Sequence, residues 1–507
     1  MDAQAFSRMD ATDLAALVAR GELSPSELVE TAIAAILEVD PEVEAVVHPL
    51  YDRARAAAAA ELPAGPFRGV PMVVKDLDGA LAGAPYTMGS RFLRDYVAPK
   101  DSELIARYLR AGFIPVAKSN CPELGILGTT EPEWRGATHN PWNLAHTPGG
   151  SSGGSAALVA ARAVPVGHAG DGGGSIRIPA AACGLFGMKA SRGLLPVGPD
   201  AGEGWGGFVS PGVLTRSVRD TAGIYDALRG PADGDPYCGP TPARPFVDEL
   251  RSDPSPLRVA VCRDSIFGRT THPDCLRVLD DTAALLAQLG HHVEAARPEF
   301  DRDALVLAYL TQVASSVAAT LEGLPRLAGR PLDPAEFEPP TWFLYQLGHM
   351  LNAVDLQRSR NLAHAASRQL ASFFQRYDVI LLPTMAHPPA LLGEGALKPA
   401  ERFGLGVLRS VPIRPVMMTL LRDLADKSLE RVPNTQLFNM TGLPAMSVPL
   451  GMSSGGLPIG MQFASGFGRD GLLFQLAGQL ERARPWIDRR PPVCVGTSRA
   501  ATTAAGA

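Results

Sequence analysis

Gly149–Arg177 reads GGSSGGSAALVAARAVPVGHAGDGGGSIR, and the rest of the 507-residue chain is organised around it. Two serine-glycine clusters, Gly149–Gly154 and Gly172–Ser175, bracket the apolar runs Ala156-Ala157-Leu158-Val159 and Val164-Pro165-Val166. Gly/Ser-rich segments are commonly flexible linkers. A linker has no use for an apolar stretch between its two halves. Two tight loops joined by buried structure describe a site instead, because glycine lets backbone N–H groups crowd around a small anion or a carbonyl oxygen.

Outward from this stretch, strand and helix signals alternate. Met72–Asp76 and Phe113–Ala117 read as strands, with a helix over Asp101–Ala111. Toward the N-terminus, Asp10–Arg20 and Ser24–Val39 read as amphipathic helices, the second opened by the capping box Ser24-Pro25-Ser26-Glu27. Toward the C-terminus, Ile178–Gly187 and Ser217–Arg229 read as helices, and Leu257–Cys262, Asp274–Leu289 and His292–Ala296 as a strand–helix–strand unit. Asp303–Arg376 is mainly helical, Tyr377–Pro383 a strand, Phe438–Gly451 and Gly460–Ala464 core strands, and Gly471–Leu480 a helix on them. This alternation predicts an α/β fold, a mixed β-sheet core covered by helices on both faces. Residues 1–495 form one catalytic domain in this reading. A variable helical cap, irregular over about 390–430, lies near the pocket, and 496–507 is a disordered tail.

Composition excludes several function classes. A net charge of −5 gives no electrostatic case for a nucleic-acid partner. The six cysteines form no CxxC pair and no zinc-spaced Cys/His cluster, so no metal is expected and the thiols read as reduced packing residues. The N-terminus lacks the basic and apolar regions of a signal peptide, and no run of eighteen apolar residues occurs. The expectation is a cytoplasmic protein with no membrane contact.

Acyl transfer requires a nucleophile, a base and donors for the developing oxyanion. Ser175 follows three glycines, so Gly172, Gly173, Gly174 and Ser175 are candidate oxyanion donors. Among ten histidines, His168 precedes this loop, but its setting Val166-Gly167-His168-Ala169 reads as strand, where a lone histidine is structural. No G-x-S-x-G elbow surrounds Ser175, which disfavours a Ser-His-Asp arrangement. Lys75 is the better base, since it ends the apolar run Pro71-Met72-Val73-Val74. Burial disfavours its charged form, and neutrality near pH 7 requires about 4 kcal/mol relative to a free lysine. A salt-bridged strand-end lysine is the bland alternative, but in strand geometry Asp76 points to the opposite face.

GGSSGGSAA followed by GDGGGSIRIPAAACG resembles the signature of the amidase signature family, serine hydrolases with a Ser–Ser–Lys triad. The resemblance implies that Ser175 forms the acyl-enzyme and that VVKD carries the catalytic lysine, Lys75. It makes Ser151, after a cis peptide bond, the proton relay between them; residue chemistry alone does not separate Ser151 from Ser152. It also places Gly128 and Thr129 beside the pocket and implies no cofactor, a small-molecule amide substrate and a homodimer. Asp171 and Arg177 read as residues that hold the nucleophile loop in shape. Two departures occur: Gly170-Asp171 stands where the family has Thr-Asp, and Lys189-Ala190-Ser191 where it has Lys-Pro-Thr. Within the family, Thr130–Glu133, Asn140–Leu144, Pro449–Ser454 and Pro485-Trp486 point to hydrolysis of cyclic or oligomeric ω-amino-acid amides. Aryl-amide, carbamate and ester hydrolases, and an amidotransferase subunit, are the alternatives.

Overall fold

A computed structural model describes residues 1–410 and 413–497. Among the described residues eleven strands form one mixed sheet: β1 Val46–Pro49, β2 Pro71–Lys75, β3 Ile114–Ser119, β4 Val166–Asp171, β5 Phe186–Lys189, β6 Ser210–Thr215, β7 Arg258–Val261, β8 His292–Ala295, β9 Val379–Pro383, β10 Ala445–Met452 and β11 Pro458–Ala464. Their spatial order is β1-β3-β2-β4-β6-β5-β10-β11-β9-β7-β8. Parallel pairings join β3, β2 and β4 on one side and β9, β7 and β8 on the other, with antiparallel pairings between.

The two-residue period of the strands sorts side chains onto two faces. Met72 and Val74 enter one core with helices Glu103–Arg110, Val218–Leu228, Pro273–Gln288 and Asp470–Ala483. Val73, between them, enters another core with helices Pro25–Val43, Gly153–Ala160 and Arg177–Cys183. In β9, Val379 and Leu381 join the first core, whereas Ile380 and Leu382 pack against helices Arg302–Ala328 and Ala353–Arg376. The sheet is therefore covered on both faces, the α/β architecture that the sequence implies.

Local signals hold at the helix starts: Ser24 and Glu27 make both halves of the capping box. Three expectations change. The segment from Ile178 is helical only to Cys183; Gly184, at φ +71°, ends the helix and Phe186 starts β5. Phe438 does not begin a strand, because Gln436–Met440 is a helical turn and β10 starts at Ala445, after Gly442 turns the chain at φ +72°. The region near 390–430 is more regular than expected, with helices Pro399–Ser410 and Arg414–Arg431 packed on helix Pro339–Met350. Their apolar side chains Leu405, Leu408, Met417 and Leu421 close a small core with Phe343 and Leu347.

Helix Arg302–Ala328 is long and apolar enough by length and composition to cross a membrane, but half of its most apolar window is buried inside the protein. Residues 498–507, most of the expected tail, lie outside the described residues. The preceding Gly496 is tied down, its N–H donating to Glu38 Oε1 at 2.7 Å.

Candidate active site

β2 presents Lys75 at its C-terminal end on the same face as Val73, toward helix Gly153–Ala160. The lysine is 1% exposed, and its Nζ lies 2.8 Å from Ser151 Oγ as donor. Burial lowers the ammonium's pKa below its ordinary value, against the opposite pull of Asp78, Cys121 and Asp171. Asp76 has turned away. Its carboxylate accepts from the Thr87 N–H at 3.1 Å and from the Thr87 hydroxyl.

Ser151 and Ser152, which residue chemistry leaves equivalent, are set apart here. The Gly150–Ser151 peptide is cis, and Ser151 reaches Lys75, whereas Ser152 donates to the Gly170 carbonyl at 3.4 Å. Gly150 is glycine for want of space, since a Cβ there would meet the Thr129 carbonyl oxygen at 2.6 Å. Thr130 holds the same turn by donating to the Gly149 carbonyl at 2.8 Å.

Ser175 sits between β4 and helix Arg177–Cys183 and is 8% exposed. The loop is pinned by Asp171, fully buried at the end of β4. Its carboxylate accepts from the Gly174 N–H at 2.7 Å, from Arg177 Nε and Nη2 at 2.9 Å each, and from Asn439 Nδ2 at 2.8 Å. Burial pushes this carboxyl up, but Arg177 and Asn439 outweigh it and hold the pKa at about 2. Arg177 also donates to the Thr435 carbonyl at 2.9 Å and to Gln462 Oε1 at 2.6 Å. Thr435 returns a hydroxyl hydrogen bond to the Gly173 carbonyl at 2.5 Å.

These bonds divide the expected oxyanion donors. The Gly174 N–H is committed to Asp171, so Gly174 does not stand as a free donor beside Gly172 and Gly173. Its φ of +128° and a would-be Cβ only 2.7 Å from Ile178 Cδ1 explain why the position is glycine. The N–H groups of Gly172, Gly173 and Ser175 have no partner among the described residues.

The two serine-glycine loops meet across Ile178. A Cβ at Gly149 would lie 3.2 Å from Ile178 Cγ2, and one at Gly128 would lie 3.9 Å from Ile178 Cδ1. Gly128 and Thr129 thus border the same corner, Thr129 through its backbone against Gly150. No hydrogen bond joins Ser175 to Ser151, so of the expected relay the structure shows the Ser151–Lys75 contact and leaves the other half open. Apo catalytic hydrogen bonds are often long and tighten when substrate arrives.

His168 lies on the opposite face of β4, its ring edge-on to Tyr108 at 6.0 Å, with both ring nitrogens unpartnered among the described residues. Burial, with Lys118 and Lys75 nearby, keeps it neutral far below its ordinary pKa. Among the described residues there is no cluster of His, Cys, Asp or Glu able to hold a metal, and all six cysteines are free. Sequence reading missed Asn439, Thr435 and Gln462, which bind the nucleophile loop from beyond residue 430. Asn439 and Gln462, polar side chains within otherwise apolar elements, were the available signal, and Thr435 carried none.

Comparison with known proteins adds an independent line. The family model described as Amidase matches residues 27–474. The chain belongs to the amidase signature family. It is an amidase, a hydrolase of amide C–N bonds. The chain is 38% identical over 495 residues to a 6-aminohexanoate-cyclic-dimer hydrolase of Pseudomonas sp. (strain NK87), covering 95% of this chain and 96% of that one. It is 30% identical over 512 residues to an acylamidase of Rhodococcus erythropolis, covering 97% and 98%. A solved 6-aminohexanoate cyclic dimer hydrolase superposes with a TM-score of 0.89 at 37% identity, covering 96% of this chain and 99% of that one. A bacterial aryl acylamidase of the amidase signature family superposes with a TM-score of 0.80 at 27% identity, over 94% and 96%.

Proposed function

We propose that this amidase works through an acyl-enzyme on Ser175 and that its substrates are cyclic or oligomeric amides of ω-amino acids. The observation that carries the mechanism is the 2.8 Å contact between buried Lys75 Nζ and Ser151 Oγ. A lysine withdrawn from water and contacting a hydroxyl rather than a carboxylate is placed to give up its proton and act as a base.

In the first step Ser175 Oγ attacks the amide carbon while its proton passes to Ser151 and the Ser151 proton to neutral Lys75. The carbonyl oxygen, now carrying the negative charge, accepts from the N–H groups of Gly172, Gly173 and Ser175. The tetrahedral centre collapses as the C–N bond breaks, and the proton returns from Lys75 through Ser151 to the leaving nitrogen. Water then attacks the ester of Ser175, losing its proton along the same path, and the carboxylic acid leaves with Ser175 restored. Asp171 and Arg177 take no proton. They fix the loop so that its N–H groups are oriented before charge develops.

The substrate class rests on similarity to 6-aminohexanoate-cyclic-dimer hydrolases over nearly the whole chain. Mass spectrometry after exposure to a fluorophosphonate tests the mechanism. One adduct is expected on wild type, none on Ser175→Ala, and slow labelling of Ser151→Ala and Lys75→Ala. Undiminished labelling of Ser175→Ala refutes the nucleophile assignment. Hydrolysis rates on a cyclic ω-amino-acid dimer, an anilide, a carbamate and an ester of matched size test the substrate class; preference for the anilide would favour the aryl-acylamidase relatives.

A further inference from the structure

Gly173, in the loop before Ser175, packs against two polar side chains that the mechanism above leaves unused. Tyr309, on helix Arg302–Ala328, brings its hydroxyl so close that a Cβ at Gly173 would overlap it. The same would-be Cβ lies 3.6 Å from Gln436 Cγ. The Tyr309 ring is held by stacking on Phe208, with centroids 6.1 Å apart and planes 5° from parallel. Its hydroxyl nevertheless has no hydrogen-bond partner among the described residues. Gln436 is 4% exposed and donates through Nε2 to the Val432 carbonyl at 2.8 Å, but its Oε1 is buried with no partner among the described residues.

A buried amide oxygen left unbonded is destabilising, and a buried tyrosine hydroxyl usually finds a partner. The Tyr309 hydroxyl is a donor and Gln436 Oε1 an acceptor, and both side chains pack against Gly173, the tyrosine through its hydroxyl and the glutamine through its Cγ. A secondary amide offers the complement, a C=O that accepts and an N–H that donates. The scissile amide already has its oxygen assigned to the loop N–H groups, so the complementary group is a second one. Burial also raises the Tyr309 pKa well above that of a free phenol, which keeps the hydroxyl protonated and a donor.

We infer that Tyr309 and Gln436 form a recognition pair for a second amide in the substrate, donating through the phenol to its carbonyl and accepting at Gln436 Oε1 from its N–H. This deepens the proposed function: the pair selects oligoamides over simple amides, so it rests on the assignment of Ser175 only for turnover and not for binding. Sites built to hydrogen-bond a substrate group discriminate strongly against analogues that lack it, because the site's own groups are then left unpaired.

The test compares a linear 6-aminohexanoate diamide with a monoamide of equal length in which methylenes replace the second amide. In Tyr309→Phe, which keeps the ring on Phe208, the ratio of kcat/KM for diamide over monoamide should fall about tenfold per lost hydrogen bond, mainly through KM. Gln436→Met should lower the same ratio. Calorimetric titration of the diamide into Ser175→Ala, with and without Tyr309→Phe, reads binding without turnover, and Kd should rise about tenfold. An equal loss on both substrates, or an unchanged ratio and Kd, overturns the inference. If wild type cleaves neither amide while Tyr309-dependent diamide binding to Ser175→Ala persists, the proposed reaction fails and the recognition pair stands.

Discussion

Two lysines sit side by side at the ends of neighbouring parallel strands. Lys118 of β3 pairs in register with Val74, the residue before Lys75. Both are buried, at 0% and 1% exposure, and burial lowers the pKa of both. Their partners differ. Lys118 donates to the Gly79 carbonyl at 2.7 Å, stands 3.8 Å from the Asp76 carboxylate and lies over the Tyr86 ring. Among the described residues, Lys75 Nζ has Ser151 alone at hydrogen-bond distance. Equal burial therefore does not make two equal bases. A lysine given a carboxylate and a carbonyl is kept as a structural cation, whereas one given only a hydroxyl can exchange a proton.

The largest effects should come from exchanging each lysine for methionine. Lys75→Met should cut kcat/KM by about 10³-fold or more, the upper range for loss of a general base. Its thermal stability should hold or rise, because a buried amine with no carboxylate in contact is replaced by an apolar chain of similar length. The sign with pH follows from linkage. Lys75 binds its proton less well folded than unfolded, so its contribution to stability improves as pH rises toward the ordinary lysine pKa. The gain in Tm from Lys75→Met should accordingly be larger at pH 6 than at pH 9. Lys118→Met reverses the pattern: it strands Asp76 and should destabilise the protein by about 3 kcal/mol while leaving kcat of the folded fraction close to wild type. Matching losses of activity in the two variants would erase the distinction.

That distinction shows what the sequence makes legible. Lys75 could be picked out because it ends the hydrophobic run Pro71–Val74 and because VVKD matches a family motif. Lys118, in Ile114–Ser119, carries no such mark. Its role arises from Asp76 and Gly79 on a loop that packing brings beside it. The nucleophile loop was legible for a local reason, since glycine runs and an adjacent serine act through their own backbone. The residues that set the loop's geometry were not. Asn439 lies in Phe438–Gly451, which reads as strand, and Thr435 just before it, and their value comes from meeting Asp171 and Gly173 in three dimensions. Alternation of strands and helices gave the sheet and both its layers. It did not give the helical turn at Gln436–Met440, where apolar neighbours mimic a strand and the side chain of Asn439 is taken by Asp171.

Burial also perturbs acids, and here the comparison extends to the start of helix Pro339–Met350. Glu338, before helix Pro339–Met350, has its pKa pushed up to about 8, first by burial and then by Glu123. Glu123 in turn accepts from the Ser90 hydroxyl at 2.6 Å and the Glu338 N–H at 2.8 Å. The folded state thus holds a proton on Glu338 that the unfolded chain releases near pH 4.5. Its contribution to stability is complete below the unfolded value and is lost as pH rises through about 8. Glu338→Gln should flatten the fall in Tm between about pH 5 and pH 8. A Tm profile parallel to wild type would show that the carboxyl is ionised throughout.

The finest test concerns the one acid that bears most on Lys75. Asp78, on the turn after β2 at φ +59°, is the largest influence opposing the burial of Lys75, favouring the charged ammonium. In the proposed mechanism activity requires the neutral amine, so kcat/KM should rise with pH along a limb set by Lys75 in the free enzyme. Asp78→Asn removes a negative charge, lowers the Lys75 pKa further and should move that limb toward lower pH by about one unit or less. The plateau rate should change little, because Asp78 has no hydrogen bond to Ser151 or Ser175. The matching change beside the other lysine, Asp76→Asn, should leave the limb in place and lower Tm instead. A limb that moves to higher pH in Asp78→Asn, or that follows Asp76, would assign the base to a different residue.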